Sequence, residues 1–321
     1  KADSERLESA LLQLGLSPTQ TPKDADVIVL NSCVVRQAAE DKVVGMLTSL
    51  KPLKGKGSDR IIALMGCMVG PKTDALHARF PYVDVFMRPQ EYKPLLQVLG
   101  DRLGVDAEGC LSTLTPPNAS VTAYIPIIHG CDKFCTFCII PYRRGRERSR
   151  PIPEIVNEVQ RLVARCVREV TLLGQNVDSY GHDLPDGPDL AGLLEALDPI
   201  AGLARIRFLT SHPSDMSDRI IDAVARLPRV CEYINLPVQA GDDGVLRAMR
   251  RGYTRADYLR LVDRVRHRIP SVGLTTDVIV GFCGETEAQF QRTLDLLEEV
   301  RFDKVHAAAY SARPGTIAAR G

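Results

Sequence analysis

A chain of 321 residues has room for one large or two medium domains, and 45% apolar with 25% charged residues is ordinary for a globular protein. No apolar run approaches the ~18 residues of a membrane-spanning helix, so no membrane partner is expected, and a net charge of +1 gives nucleic-acid binding no support beyond what local patches can supply. Nine cysteines, an odd count without the density of a small disulfide scaffold, favour a reducing, cytoplasmic setting with metal-bound or catalytic thiols.

The chain opens at Lys1 and not at Met, so its natural start is expected upstream. Residues 3–14 carry Leu7, Leu11 and Leu14 on one helical face. A short apolar strand at 27–30 is followed by a helix at 35–50, a strand at 60–65, a helix at 71–78, a strand at 83–86 and a helix at 91–99. This alternation predicts a small doubly wound parallel sheet. Cys33 and Cys67 each stand just past the carboxyl end of a predicted strand, the edge where ligands gather in open α/β sheets. They are either two parts of one site or two buried cysteines acting as small hydrophobes. Residues 103–121 have little periodicity and include Thr113-Leu114-Thr115-Pro116-Pro117-Asn118, which reads as a linker with a domain boundary near residue 118.

The alternation then restarts at a longer pitch. Strands are predicted at 122–128, 169–173, 205–209, 233–236, 272–280 and 304–310. Helices are predicted at 153–166, 190–197, 216–226, 243–249, 254–268 and 287–300. Thr254 with Asp257, and Thr286 with Gln289, have the capping-box spacing. Six β/α units are fewer than a closed barrel needs, and in such arrays the active site lies at the carboxyl ends of the strands. Those ends carry Cys131, Gln175 and Asn176, Ser211 and His212, Pro237 to Gln239, Gly281 with Gly284 and Glu285, and Tyr310. Asp277 is either a rim polar group or a satisfied core carboxylate.

Cys131, Cys135 and Cys138 form a C-x3-C-x2-C loop after the first of these strands. A structural zinc site needs four ligands, and His129, two positions before Cys131, is the nearest fourth. A redox pair would use Cys135 and Cys138 and leave Cys131 unexplained. A [4Fe–4S] cluster on three thiolates leaves one iron open to an exogenous ligand. Phe134 and Phe137 flank the thiols and suit a water-excluding shell. Arg143, Arg144, Arg146, Arg148 and Arg150 follow, offset only by Glu147. They form either a solvated loop or a phosphate contact to a polyanion, for which arginine is the better cation.

These residues carry a resemblance that covers nearly the whole chain. The stretches are Gly-Cys-Asp-Lys-Phe-Cys-Thr-Phe-Cys at 130–138, Arg-Gly-Arg-Glu-Arg-Ser-Arg-Pro at 144–151 and Leu-Leu-Gly-Gln-Asn-Val-Asp-Ser-Tyr-Gly at 172–181. With them stand Leu-Thr-Ser-His-Pro at 209–213, Asn-Leu-Pro-Val-Gln-Ala-Gly at 235–241 and Tyr-Ser-Ala-Arg-Pro-Gly-Thr at 310–316. The chain resembles the radical S-adenosylmethionine (SAM) methylthiotransferases. The Leu-Gly-Gln-Asn-Val stretch makes it most similar to the branch that acts on isopentenyl-adenosine in tRNA. Sister branches act on threonylcarbamoyl-adenosine in tRNA or on an aspartate of a ribosomal protein.

The resemblance implies an N-terminal methylthiotransferase domain over residues 1–117 and a catalytic domain with a partial (β/α)6 barrel over 118–321. It implies that Cys131, Cys135 and Cys138 hold a [4Fe–4S] cluster that binds and cleaves SAM. It assigns Cys33 and Cys67 to a second cluster, whose third cysteine belongs to a run upstream of this sequence. The family also ends in a small β-barrel RNA-binding domain that this sequence does not contain. Gln175, Asn176, Ser211 and Gln239 are the candidate SAM contacts, with Phe137 packing on the adenine. The run from Arg143 to Arg150 is expected to contact the anticodon stem-loop of tRNA. The second cluster would supply a methylated sulfur for C2 of the modified adenosine next to the anticodon. A flavodoxin- or ferredoxin-like protein would supply the electrons. Cys283 replaces a usual proline and reads as a packed cysteine; Cys110, Cys166 and Cys231 match no ligand and read as structural. A non-enzymatic iron–sulfur electron carrier is the rival of a different class, but such carriers normally use four cysteines.

Overall fold

The computed structural model describes residues 2–32, 37–55, 58–104 and 120–320. Cys33, Cys110 and most of the expected linker lie outside these residues. Two compact units divide at Asn118 and Ala119, and Tyr142–Arg144 group with the first of them.

In the first unit, helix α1 (Ala2–Gln13) precedes strand β1 (Val27–Ser32), α2 (Gln37–Leu50), β2 (Ile61–Gly66), α3 (Asp74–Arg79), β3 (Val85–Met87) and α4 (Lys93–Leu103). The strands form a parallel sheet in the order β1-β2-β3. Central β2 is buried along its whole length, as expected of a parallel strand covered on both faces. Leu7 and Ala10 of α1 and Leu95, Leu96 and Leu99 of α4 pack on Ile61, Ala63 and Met65. The register pairs Ser32 with Gly66, the residues just before Cys33 and Cys67. Gly66 has φ +101°, and a Cβ there would lie 2.3 Å from the Ser32 carbonyl oxygen, so only glycine allows the chain to turn there.

In the second unit, β4 (Thr122–Pro126) leads to β5 (Ile128–His129), α5 (Ile140–Arg144), β6 (Arg148–Ser149), α6 (Ile152–Ala164), β7 (Glu169–Leu173), α7 (Leu190–Leu197), β8 (Arg205–Phe208) and α8 (Asp218–Arg226). Then come β9 (Tyr233–Asn235), α9 (Asp243–Ala248), α10 (Arg255–Arg268), β10 (Gly273–Val280), α11 (Glu287–Val300) and β11 (Lys304–Ala309). The six expected strands are present and parallel, but they form two sheets, β4-β7-β8 and β9-β10-β11. A single bridge, Ile206 with Val230, joins them. Ile206 accepts from Cys231 N–H and donates to the Arg229 carbonyl, so the chain touches β8 before β9 begins. The six β/α units of the expected partial barrel are thus present, with the two three-stranded sheets meeting at this bridge.

The expected strand over 122–128 is also divided. Its last residues leave the sheet and pair antiparallel with β6. Outer helices cover the array: Ile155, Val159 and Leu162 of α6, at helical spacing, join Ile220 and Val224 of α8 and Leu261 and Val265 of α10 in one core with Ile125, Val170, Ile206 and Ile234. Among the described residues no helix is long and apolar enough to cross a membrane.

Both capping boxes form, Thr254 with Asp257 at α10 and Thr286 with Gln289 at α11. Replacing Thr286 with Ala removes the side-chain acceptor of the Gln289 N–H in the first turn of α11. Urea unfolding should show a loss of about 1 kcal/mol. A change within a few tenths of a kcal/mol would mean that burial of Leu296 and Val300 alone fixes this helix.

Candidate functional site

The cysteine loop is closed at its neck by β5 and β6, where Ile128 pairs with Ser149 and His129 with Arg148. Gly130 sits in this neck at φ +76°; a Cβ there would lie 2.1 Å from the Arg146 carbonyl oxygen. Cys131 N–H then donates to the Gly145 carbonyl at 3.2 Å, so the loop returns to its own start. Inside the loop Phe134 takes φ +48°, a left-handed conformation uncommon outside glycine. Thr136 anchors the loop: its N–H donates to the Met249 carbonyl, its hydroxyl to the Ala248 carbonyl, and its own carbonyl accepts from Ala318 N–H.

Cys131 and Cys135 are 9% and 7% exposed. Burial pushes the Cys131 thiol up to about 12, against a hydrogen bond from the Lys133 N–H; Glu147 and the other two thiols raise it further. Burial likewise pushes Cys138 to about 11, against the Ile140 N–H, and Cys135 adds to the rise. Left to themselves, Cys131 and Cys138 would therefore stay protonated. A bound metal centre reverses that preference and receives three thiolates with backbone N–H donors already aimed at two of them. Among the described residues no three His, Cys, Asp or Glu side chains are placed to hold a single ion. The thiolates of a cluster bind different irons and need not meet at one point. This donor set therefore fits an iron–sulfur cluster.

The strand ends beside the loop supply a connected polar network. Asn176, after β7, is buried and donates through Nδ2 to Asp215 at 2.5 Å; Lys133 of the cysteine loop reaches the other oxygen of Asp215 at 2.6 Å. Ser211 donates its hydroxyl to Asp178, and His212 donates its N–H to the same carboxylate, both at 3.0 Å. Burial pushes Asp178 up to about 7. Burial lowers His212 to about 2, with Arg251 and Lys133 adding to the effect. Its Nδ1 accepts from Ser214 N–H, so the neutral ring carries its proton on Nε2. His212 Nε2 and Asn176 Oδ1 are excluded from solvent and have no hydrogen-bond partner among the described residues. Thr210 and Gln239, at the ends of β8 and β9, take φ +74° and +71°, conformations that cluster at functional rims.

Of the expected SAM contacts, Asn176 and Ser211 therefore lie in this network, and Gln175 and Gln239 are half-buried at their strand ends. Phe137 is half-buried and packs on the group formed by Ala240, Val245, Leu246, Met249 and Phe282. Asp277 is half-buried and accepts from Asn235 at 3.0 Å. Sequence reasoning missed Lys133, Asp178, Asp215 and Arg251. Arg251 is 5% exposed and donates to Cys135 Sγ at 3.3 Å. Only its place in the Arg250-Arg251-Gly252-Tyr253 stretch could have drawn attention to it.

The five arginines separate. Arg146 is largely exposed and pairs with Asp132; Arg148 is exposed. Arg150 pairs with Glu154 and Glu158 of α6 and donates to the Pro126 carbonyl, so its guanidinium is engaged inside the fold and is not available as a phosphate contact. Arg143 and Arg144 group with the first unit, where Arg144 Nε lies 3.3 Å from Cys67 Sγ. Cys67 is buried. Cys33, its expected companion, lies outside the described residues. Cys283 is exposed and not packed as expected, because its loop leaves the sulfur at the surface against the Ala318 carbonyl; Cys166 is exposed as well.

Comparison with known proteins gives matches for both parts of the chain. The Radical SAM superfamily matches residues 125–297, and the Uncharacterized protein family UPF0004 matches residues 1–88. A tRNA-2-methylthio-N(6)-dimethylallyladenosine synthase of Chloroflexus aurantiacus is 53% identical over 99% of this chain and 68% of its own length. One of Dehalococcoides mccartyi is 49% identical over 100% of this chain and 74% of its own length. Among solved structures, the radical SAM methyltransferase TsrM from Kitasatospora setae superposes with a TM-score of 0.66, covering 91% of this chain and 63% of that one. At 16% identity that likeness speaks for the fold alone.

Asp178 carries a pH signature. Its carboxyl moves from 3.8 to about 7 on folding, mainly through burial. Because the folded value is the higher, the stability it contributes is complete below pH ~4 and is lost as pH rises through about 7. In Asp178→Asn the neutral amide removes that dependence. The difference in unfolding free energy between wild type and variant should fall steadily across this window in urea titrations. Parallel pH profiles would show that the carboxyl ionises as it does in water.

Proposed function

We infer the activity from the family: the chain belongs to the radical SAM tRNA methylthiotransferases and is a tRNA-2-methylthio-N6-dimethylallyladenosine synthase. It uses SAM and a [4Fe–4S] cluster and acts on tRNA, in the cytoplasm where tRNA is modified. The observation that carries this reading is the three-cysteine loop, with Cys131 and Cys135 buried and Cys138 half-buried, closed by Gly130 and the β5/β6 neck beside a polar rim with solvent-excluded hydrogen-bonding atoms.

Cys131, Cys135 and Cys138 are the proposed ligands. A cluster bound there supplies the electron that cleaves SAM, and the radical and sulfur-transfer chemistry is the cofactors' own. The protein's part is to hold, orient and shield. The N–H groups of Lys133 and Ile140 meet two of the ligand sulfurs. Ile139 and Ile140, buried immediately after Cys138, add apolar neighbours that limit the approach of water. Asn176 Oδ1 offers an acceptor to a ligand ammonium or hydroxyl, and His212 Nε2–H offers a donor. Asp215 fixes Asn176 by accepting one of its amide N–H groups and fixes Lys133 at the same time. Gln175, Ser211, Gln239 and Phe137 complete the proposed SAM surroundings.

Cys33 and Cys67 are the proposed ligands of a second cluster, and a flavodoxin- or ferredoxin-like protein is the proposed electron donor. Arg146 and Arg148 are the proposed contacts to the phosphates of the anticodon stem-loop.

Two measurements test this reading. The full-length protein, reconstituted with iron and sulfide and then incubated with SAM, a reductant and hypomodified tRNA, should yield the 2-methylthio nucleoside by mass spectrometry. Cys131→Ala should lose both the product and the iron of that site; product formation by the variant would refute the ligand assignment. For the arginines, Arg148→Ala should weaken tRNA binding and reduce the slope of log K against log salt by about one. An unaltered slope would remove Arg148 from the interface.

A further inference from the structure

Arg251 lies in the loop between α9 and α10, and its side chain is held from every side. Nη1 donates to Cys135 Sγ at 3.3 Å, Nη2 to the Pro237 carbonyl at 3.1 Å and Nε to the Tyr253 hydroxyl at 2.9 Å. The guanidinium carbon lies 5.4 Å from the centre of the Tyr253 ring. Tyr253 is fixed in turn by donation to the Val238 carbonyl at 2.8 Å. None of these partners is a carboxylate. Two are neutral oxygens, and the third is a sulfur that becomes an anion when it binds metal.

A buried guanidinium is costly unless an anion compensates it. Arginine is the cation whose charge cannot be relieved by deprotonation. At 5% exposure Arg251 is beyond the reach of screening by salt. The arrangement makes sense if the compensating anion is the ligated Cys135 sulfur with the metal centre behind it. The fork geometry matters as well, because an ammonium could not meet Pro237, Tyr253 and Cys135 in three fixed directions at once.

We propose that Arg251 is a positioning residue that raises the reduction potential of the cluster held by Cys131, Cys135 and Cys138, through its buried charge and its N–H···S bond to Cys135. One-electron reduction adds one negative charge to the iron–sulfur core, with no bond formed or broken and no proton moved. That added charge is stabilised by a fixed cation on a ligand sulfur. Hydrogen bonds to the sulfurs and buried charge are recognised controls of such potentials. Arg251 thereby offsets the opposing effect of an apolar, water-poor loop, which disfavours any gain of negative charge. The inference rests on the reading of the three cysteines as cluster ligands.

The test is a redox titration of the reconstituted chain with dithionite as electron source, followed by the electron paramagnetic resonance of the reduced cluster. Iron content and SAM affinity are measured on the same samples. Wild type, Arg251→Met, Arg251→Lys and Tyr253→Phe are compared. Arg251→Met should hold as much iron as wild type and have a more negative midpoint. Arg251→Lys should fall between them, and Tyr253→Phe should shift the same way by less. Midpoints equal to wild type in all three variants would overturn the proposal. So would a SAM affinity lowered by roughly tenfold or more with unmoved midpoints, which would make Arg251 a cofactor contact. If Arg251→Met fails to retain iron, the other two variants, which both keep a cation, decide by the same criterion. Wild type that takes up no iron at this loop would refute the cluster reading itself, and the proposal with it; a loaded wild type with unmoved variants would refute the proposal alone.

Discussion

Cys131 and Cys135 are less than a tenth exposed, and a thiolate carried from water into such a place loses most of its hydration. Three of them together also repel one another. That charge problem organises the surroundings of the loop. Backbone N–H groups of Lys133 and Ile140 meet two of the sulfurs, and the Arg251 guanidinium meets the third. Each is a donor fixed before any metal arrives, so little reorganisation is needed when the thiols ionise. The same donors would be poor company for three apolar thiols, which argues that the loop is shaped for its ionised state.

Such preorganisation requires a backbone that cannot relax. The loop begins and ends on the two-residue antiparallel pair of β5 and β6, and the close approach of Arg146 to Gly130 leaves no space for a side chain. Midway, Thr136 is held by Ala248, Met249 and Ala318, residues more than a hundred positions away in sequence. Anchors at the neck and the middle leave little freedom between them. The positive φ of Phe134 is tolerated because the contacts around it over-determine the chain path.

Much of this was legible in the sequence, for identifiable reasons. The spacing of Cys131, Cys135 and Cys138 is local, so it survives translation into three dimensions. The capping boxes at Thr254 and Thr286 are local too, and both form. Strand ends could be read because apolar runs stop where the rim begins, and this placed Asn176 and Ser211 correctly at the carboxyl edge. What escaped depends on contacts distant in sequence. Arg251 meets Cys135 across 116 positions, and no periodicity encodes that. Arg150 looked like one more guanidinium of a solvent-facing run, yet Glu154 and Glu158, one and two turns along α6, draw it into the fold. The β5/β6 pair is too short to leave an alternating pattern. The division into two sheets between β8 and β9 escaped because strand length is legible but strand offset is not.

Asp215 shows why the loop and the rim act as one unit. Its two oxygens are divided between Lys133, which stands among the cysteines, and Asn176, which closes β7. The Lys133 side chain faces Asp215, while its own N–H faces Cys131 Sγ. A shift of Asp215 would therefore be felt at a ligand sulfur and at a rim amide together. Asn176 gives one amide N–H to Asp215, which settles the orientation of that amide and leaves its carbonyl oxygen without a partner among the described residues. One carboxylate thus ties the cysteine loop to the rim and orients the Asn176 amide with its carbonyl oxygen turned away from Asp215. The two solvent-excluded atoms, an amide oxygen that accepts and an imidazole N–H that donates, consequently have opposite polarity.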